Sequence, residues 1–143
     1  MRAGHRDEGS GEGQARRALF LAQACYYLAT GLWPILDRRT FEAITGPKRE
    51  FWLVRTVGAL ATAIGAVLAL AGARRRPSAE AHALAITSAV AFAAVDLNYV
   101  LRRRISPVYL IDALLESLLL LAWARALARR MPLSRADMET RDA

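Results

Sequence analysis

The chain is short of almost everything that metal or acyl-transfer chemistry requires. Cys25 is its one cysteine in 143 residues, so no intramolecular disulfide can form and no cysteine cluster can bind a metal. His5 and His82 are its two histidines. The carboxyls thus lack a histidine set, and a transition-metal site has little support. No HExxH, glycine-rich phosphate loop, haem motif or hydrolase triad is present. Neither a metal nor a cofactor is expected. Lysine is also nearly absent, because of 20 basic residues only Lys48 is not arginine. The LAQAC run ending at Cys25 makes a poor lipoprotein signal, since Gln23 falls inside the motif and the apolar run continues past the cysteine. No A-x-A site ends that run, which is expected to be retained.

What the chain has is hydrophobicity, 55% of its residues, gathered into four long runs with basic punctuation between them. A soluble domain would spread polar positions through every element; this pattern reads as membrane spans. The formal charge is +7, yet the arginines sit at the ends of apolar runs, where lipid headgroups would meet them. No nucleic-acid partner is expected. The lipid bilayer is the partner implied. The arginine- and alanine-heavy usage suggests a GC-rich bacterial genome.

The expected fold is all-α, an integral membrane four-helix bundle running up-down-up-down between polar tails. Residues 1–16 and 129–143 are too polar and too rich in small residues to bury a core, and disorder is expected there. The four spans fall at about residues 17–36, 51–73, 79–101 and 106–128, each near the ~20 residues that cross a bilayer. Ser78 is expected to cap the third span, and Ser106 with Pro107 to open the fourth. Short turns at 74–78 and 102–105 force antiparallel neighbours. The longer loop at 37–50 would hold a short helix capped by Thr40 and ended at Gly46–Pro47. Twelve of the 20 basic residues flank the side holding both termini. That bias predicts cytoplasmic termini in a bacterial inner membrane. Trp33, Phe41, Phe51, Trp52, Tyr99 and Tyr109 would form one aromatic belt, with Trp123 at the opposite interface. Gly58, Gly65 and Gly72 recur every seven residues, so one face of the second span should allow a close helix approach.

The polar exceptions inside the spans are the candidate site. Asp112 and Glu116 lie four residues apart, on one face of the fourth span. Glu116 is about 15 Å along that span, near the bilayer centre, where a charge costs roughly 2.5–3.5 kcal/mol. It must be neutral, reach water or find a partner on another span. The antiparallel order brings Arg55 and Asp96 to the same half of the membrane. Glu116, Asp112, Asp96 and Arg55 are therefore the candidate ligand- or proton-binding residues. Gln23, Tyr27 and Thr30 form a polar stripe on the first span that would line the site. Asn98 lies about 200° around the helix from Asp96 and should face away, and His82 should sit at the far interface.

The stretches LWPIL at 32–36, FEAITGPKREFWLVRTVGALATAIGAVLAL at 41–70 and VDLNYVLRRRISPVYLIDALLE at 95–116 carry a resemblance to small bacterial four-span proteins of the DoxX-like kind. The resemblance covers about residues 17–128 and implies a fold more than a chemistry. Small multidrug exporters share the plan, but their membrane Glu lies in the first span, and the first span here has none. Three functions remain. One is an accessory or assembly subunit whose polar residues meet another membrane protein or a second copy. Another is binding or transport of a proton, small ligand or cationic amphiphile through the carboxyls. The third, and least supported, is a lipid-modifying membrane enzyme.

Overall fold

The computed structural model describes residues 5–74 and 76–128. These form five helices: α1 His5–Leu36, α2 Arg38–Thr45, α3 Phe51–Ala73, α4 Ala79–Leu101 and α5 Tyr109–Ala128. No strand occurs among the described residues. α1 runs back to His5, so the structureless tail expected over 1–16 does not hold for 5–16. No proline interrupts that stretch, and an established helix propagates at little cost once nucleated. The tail expected over 129–143 lies outside the described residues.

Three helical segments are long and apolar enough to cross a membrane: Gly13–Leu36, Phe51–Ala73 and Ala79–Leu101. α5 has 20 residues but carries Asp112, Glu116 and Arg125 along its length. Large apolar side chains are exposed on each long helix, among them Leu21, Leu60, Leu70, Val90, Leu114 and Leu118. A water-facing surface would not hold such a contiguous apolar area.

The boundaries follow from local chemistry. Ser78 caps α4 by accepting from the Ala81 amide. Asp37, rather than Thr40, caps α2: its carboxylate accepts from the Thr40 amide at 3.1 Å, which holds the Asp37 carboxyl below the usual carboxylate range. An ionised cap accepts more strongly than a hydroxyl and complements the helix dipole. α2 ends as expected at Gly46, whose φ of 83° suits glycine. Glu42 pairs with Arg38 at 3.0 Å and is held below the ordinary carboxylate range, first by that hydrogen bond. α5 opens two residues later than expected. Ser106 and Pro107 accept from the Tyr109 and Leu110 amides, forming a turn that leads into the helix.

The long helices touch in a ring, α1 with α3, α3 with α4, α4 with α5 and α5 with α1, while α2 packs on α1. The α1–α3 contact is antiparallel and made through glycine. A Cβ on Gly31 would lie 2.6 Å from the Gly58 carbonyl oxygen, and one on Gly58 would lie 2.5 Å from that of Gly31. Gly65 faces Ala24 and Leu28, and Gly72 faces Phe20 and Leu21. The seven-residue glycine repeat is thus the face on which α3 meets α1. The ring's interior holds Phe20, Ala24, Tyr27, Leu68, Ala71, Ala85 and Trp123.

Candidate functional site

Inside this ring a run of polar side chains joins α1, α4 and α5. Gln23 is fully buried, and Glu116 and Tyr27 are each 1% exposed. The Trp123 indole donates to Gln23 Oε1 at 2.9 Å. Indole is a donor only, so the amide oxygen must face it and the amide NH2 must point the other way. That NH2 donates to the Ala85 carbonyl at 2.8 Å and to Tyr27 Oη at 3.2 Å. Tyr27 Oη lies 3.1 Å from Glu116 Oε2 and 3.3 Å from Ser88 Oγ. Ser88 Oγ in turn donates to the Ala85 carbonyl at 3.2 Å.

Tyr27 has one proton for two acceptors, so the chain can be wired in two ways. With Glu116 ionised, Tyr27 donates to the carboxylate. With Glu116 neutral, the acid donates to Tyr27, Tyr27 donates to Ser88, and Ser88 donates to the Ala85 carbonyl. Neither wiring leaves a buried donor orphaned, so a single proton on Glu116 reverses the Glu116–Tyr27 bond and turns the Tyr27 proton to Ser88 without moving a heavy atom.

Of the residues singled out from sequence, Glu116, Gln23 and Tyr27 form this chain. Asp96 is 7% exposed and its Oδ2 has no hydrogen-bond partner. Asp96 and half-buried Asp112 both lie close enough to Glu116 to interact electrostatically. Arg55 does not join them: it is exposed, with its guanidinium 5.5 Å from the Phe51 ring centroid. Only one turn inside α3, its long stem reaches the end of the bundle more easily than the interior. Thr30 is also outside, exposed and bonded back to the Tyr26 carbonyl, as a threonine in a helix does when no interior partner is near. Asn98 faces away, as its angle predicts, and accepts from Arg102 at 3.0 Å.

Ser88 and Trp123 were missed. Ser88 is eight residues before Asp96, and i, i+4, i+8 spacing through Phe92 marks one helix face. Trp123 is seven residues after Glu116, on the same side of α5. It is not an interface anchor: it is 1% exposed and packs edge-on against Phe20 at 4.8 Å and His82 at 5.5 Å. His82, expected at the far interface, stacks on Phe20 at 4.9 Å as well. Its Nδ1 bonds the Ser78 carbonyl at 2.8 Å, which makes Nδ1 the protonated nitrogen. Among the described residues no group of three or more His, Cys, Asp or Glu side chains could hold a metal ion.

Comparisons with protein-family models, with curated proteins and with solved structures found no match to this chain.

Proposed function

We propose that the chain is a multi-pass membrane protein with four spans, α5 being the fourth, and that its interior carboxyl Glu116 takes up and releases a proton. The observation that carries this reading is the reversible wiring at Glu116: a carboxyl 1% exposed, tied to Tyr27 Oη, in a network satisfied with or without the proton. A purely structural polar network needs only one wiring. The antiparallel ring and the lipid-compatible exterior support four spans, and α5 falls short of an apolar span only through the side chains of this proposed function and Arg125. The basic-residue bias supports cytoplasmic termini in a bacterial inner membrane.

The test is a pH titration in detergent that follows Trp123 fluorescence in a Trp33→Phe/Trp52→Phe background, with infrared detection of the carboxyl band. Trp123 is linked to Glu116 through Gln23 and Tyr27, so loading the proton should shift its emission. Glu116→Gln donates to Tyr27 as the neutral acid does, and should fold normally while abolishing the shift. A shift that survives in Glu116→Gln removes the proposal.

An accessory or assembly role has one observation of its own. A groove of about 420 Å³ runs along the outer surface between α4 and α5, over Ala93, Ala94, Ala113 and Ser117. Small residues at that surface would let another helix approach closely. Cysteine crosslinking from Ala94→Cys, in a Cys25→Ala background, should then trap one defined neighbour in native membranes. A smear of unspecific adducts would exclude that role.

A further inference from the structure

Resting on the proposed proton site, we infer that Glu116 is loaded from one side only, the side of α2, through Asp96 and Asp112, and that the Phe20–His82–Trp123 cluster seals the opposite side. The two halves of the interior differ in kind. Toward α2 the polar groups continue past Glu116: Asp112 lies one turn nearer the start of α5, and Asp96 lies five residues before the end of α4. Asp96 is more than nine-tenths buried, yet its Oδ2 has no partner among the described residues. A buried carboxyl oxygen without a donor is costly to keep unless a proton or water visits it. Asp96 also interacts electrostatically with both Glu116 and Tyr109, which places it between the interior carboxyl and the α2 end. There Lys48 lies 5.0 Å from the Tyr109 ring centroid.

In the other direction no carboxyl follows Gln23 among the described residues, and the polar atom met among the rings is His82 Nε2, buried without a hydrogen-bond partner. Beyond Gln23 the interior is closed by the rings of Phe20, His82 and Trp123, with centroids 4.8–5.5 Å apart in edge-to-face contact. Phe20 is fully buried and Trp123 is 1% exposed. The indole proton is committed to Gln23, and the protonated nitrogen of His82 to Ser78. Glu116 meets Tyr27 from α1 and interacts electrostatically with Asp96 of α4 and Asp112 of α5; α3 buries the apolar Leu68 and Ala61. The proton would pass from water at the α2 end through both Asp96 and Asp112 in turn to Glu116, each carboxyl gaining and losing one proton with no other reactant.

The experiment is done on the full chain in sealed liposomes, with the Trp123 signal as reporter. Orientation is scored by an impermeant thiol reagent at Lys48→Cys in a Cys25→Ala background. The pH is stepped in one compartment while the other is buffered. The signal should follow the compartment facing α2. Asp96→Asn and Asp112→Asn should each slow its rise at least tenfold and leave its final amplitude unchanged. Phe20→Ala, or His82→Ala if the former does not fold, should make the signal follow both compartments. A signal that follows the opposite compartment, both compartments or neither, while the detergent titration is intact, overturns one-sided access. Unchanged sidedness in Phe20→Ala and His82→Ala overturns the seal. A missing detergent titration in the parent protein instead defeats the proton site itself, and this inference with it.

Discussion

Where α1 meets α3 the contact is defined by missing atoms, and where α1 meets α4 and α5 it is defined by particular ones. On the first seam the Gly31 and Gly58 backbones sit so close that neither residue has room for a methyl group. Its stabilisation is dispersion between closely packed surfaces, the main attraction left to helices in lipid. On the second seam, Gln23, Tyr27, Ser88, Glu116 and Trp123 exchange buried hydrogen bonds. Such bonds are worth only about 0.6 kcal/mol each on average in membranes, but breaking one strands its partner. The two seams should therefore fail differently: the glycine seam through added volume, the polar seam through lost groups.

The largest effect should come from adding one carbon to the glycine seam. Gly58→Ala would put its Cβ against the Gly31 backbone oxygen, which cannot move without moving α1. We expect a loss of about 3 kcal/mol in unfolding by denaturing detergent. Gly65→Ala, whose Cβ would lie 3.1 Å from its nearest neighbours, should cost about 1–2 kcal/mol. Gly72→Ala meets mainly the Leu21 and Phe20 side chains and should cost less, since side chains can rotate away. Equal losses at all three glycines would mean that the seam yields as a whole and that its close approach is not local.

The polar seam should break by deletion. Gln23→Leu keeps much of the volume but leaves the Trp123 indole without an acceptor and takes from Tyr27 the amide donor it had. A stranded buried group costs about 1–3 kcal/mol. Trp123→Phe removes the indole donor, so the double variant should cost less than the sum of the two single ones. Strict additivity would show that Gln23 and Trp123 are stabilised separately.

These contrasts also explain what could be read from the sequence. The glycine repeat was legible because a seven-residue spacing fixes a face wherever the helix goes. Three apolar runs were legible for the same reason, and α5 was recognisable despite its charges. Glu116 stood out because depth leaves a carboxyl few alternatives. Trp123 was misplaced because its nearness to the end of the last span suggested an interface; only the closure of α5 onto α1 brings it inside, while His82 stays at the far end of α4 as expected. Arg55 was drawn into the site by sharing a membrane half with the carboxyls, but a shared half does not fix an angle around the helix, and Phe51 takes its guanidinium. Asp37 took the cap from Thr40 because helix caps are decided by one residue's backbone angle, which hydropathy does not encode.

The smallest effect should come from outside both seams, and it tests which seam gives way first. Arg103 joins α4 to α5 with φ at 52°, in the left-handed region. Its amide bonds the Val100 carbonyl at 2.8 Å, and that of Arg104 bonds Tyr99 at 2.9 Å. This is the helix-ending turn that glycine usually serves. An arginine there carries about 1–2 kcal/mol of backbone strain, while glycine would give back roughly 0.5–1 kcal/mol through its freer unfolded chain. Arg103→Gly should thus stabilise the α4–α5 hairpin by about 0.5–1 kcal/mol. If the polar seam opens first, that gain appears in the unfolding midpoint, because the hairpin carries Ser88, Glu116 and Trp123. If the glycine seam opens first, Arg103→Gly leaves the midpoint where it is in the parent chain, while Gly72→Ala alone lowers it.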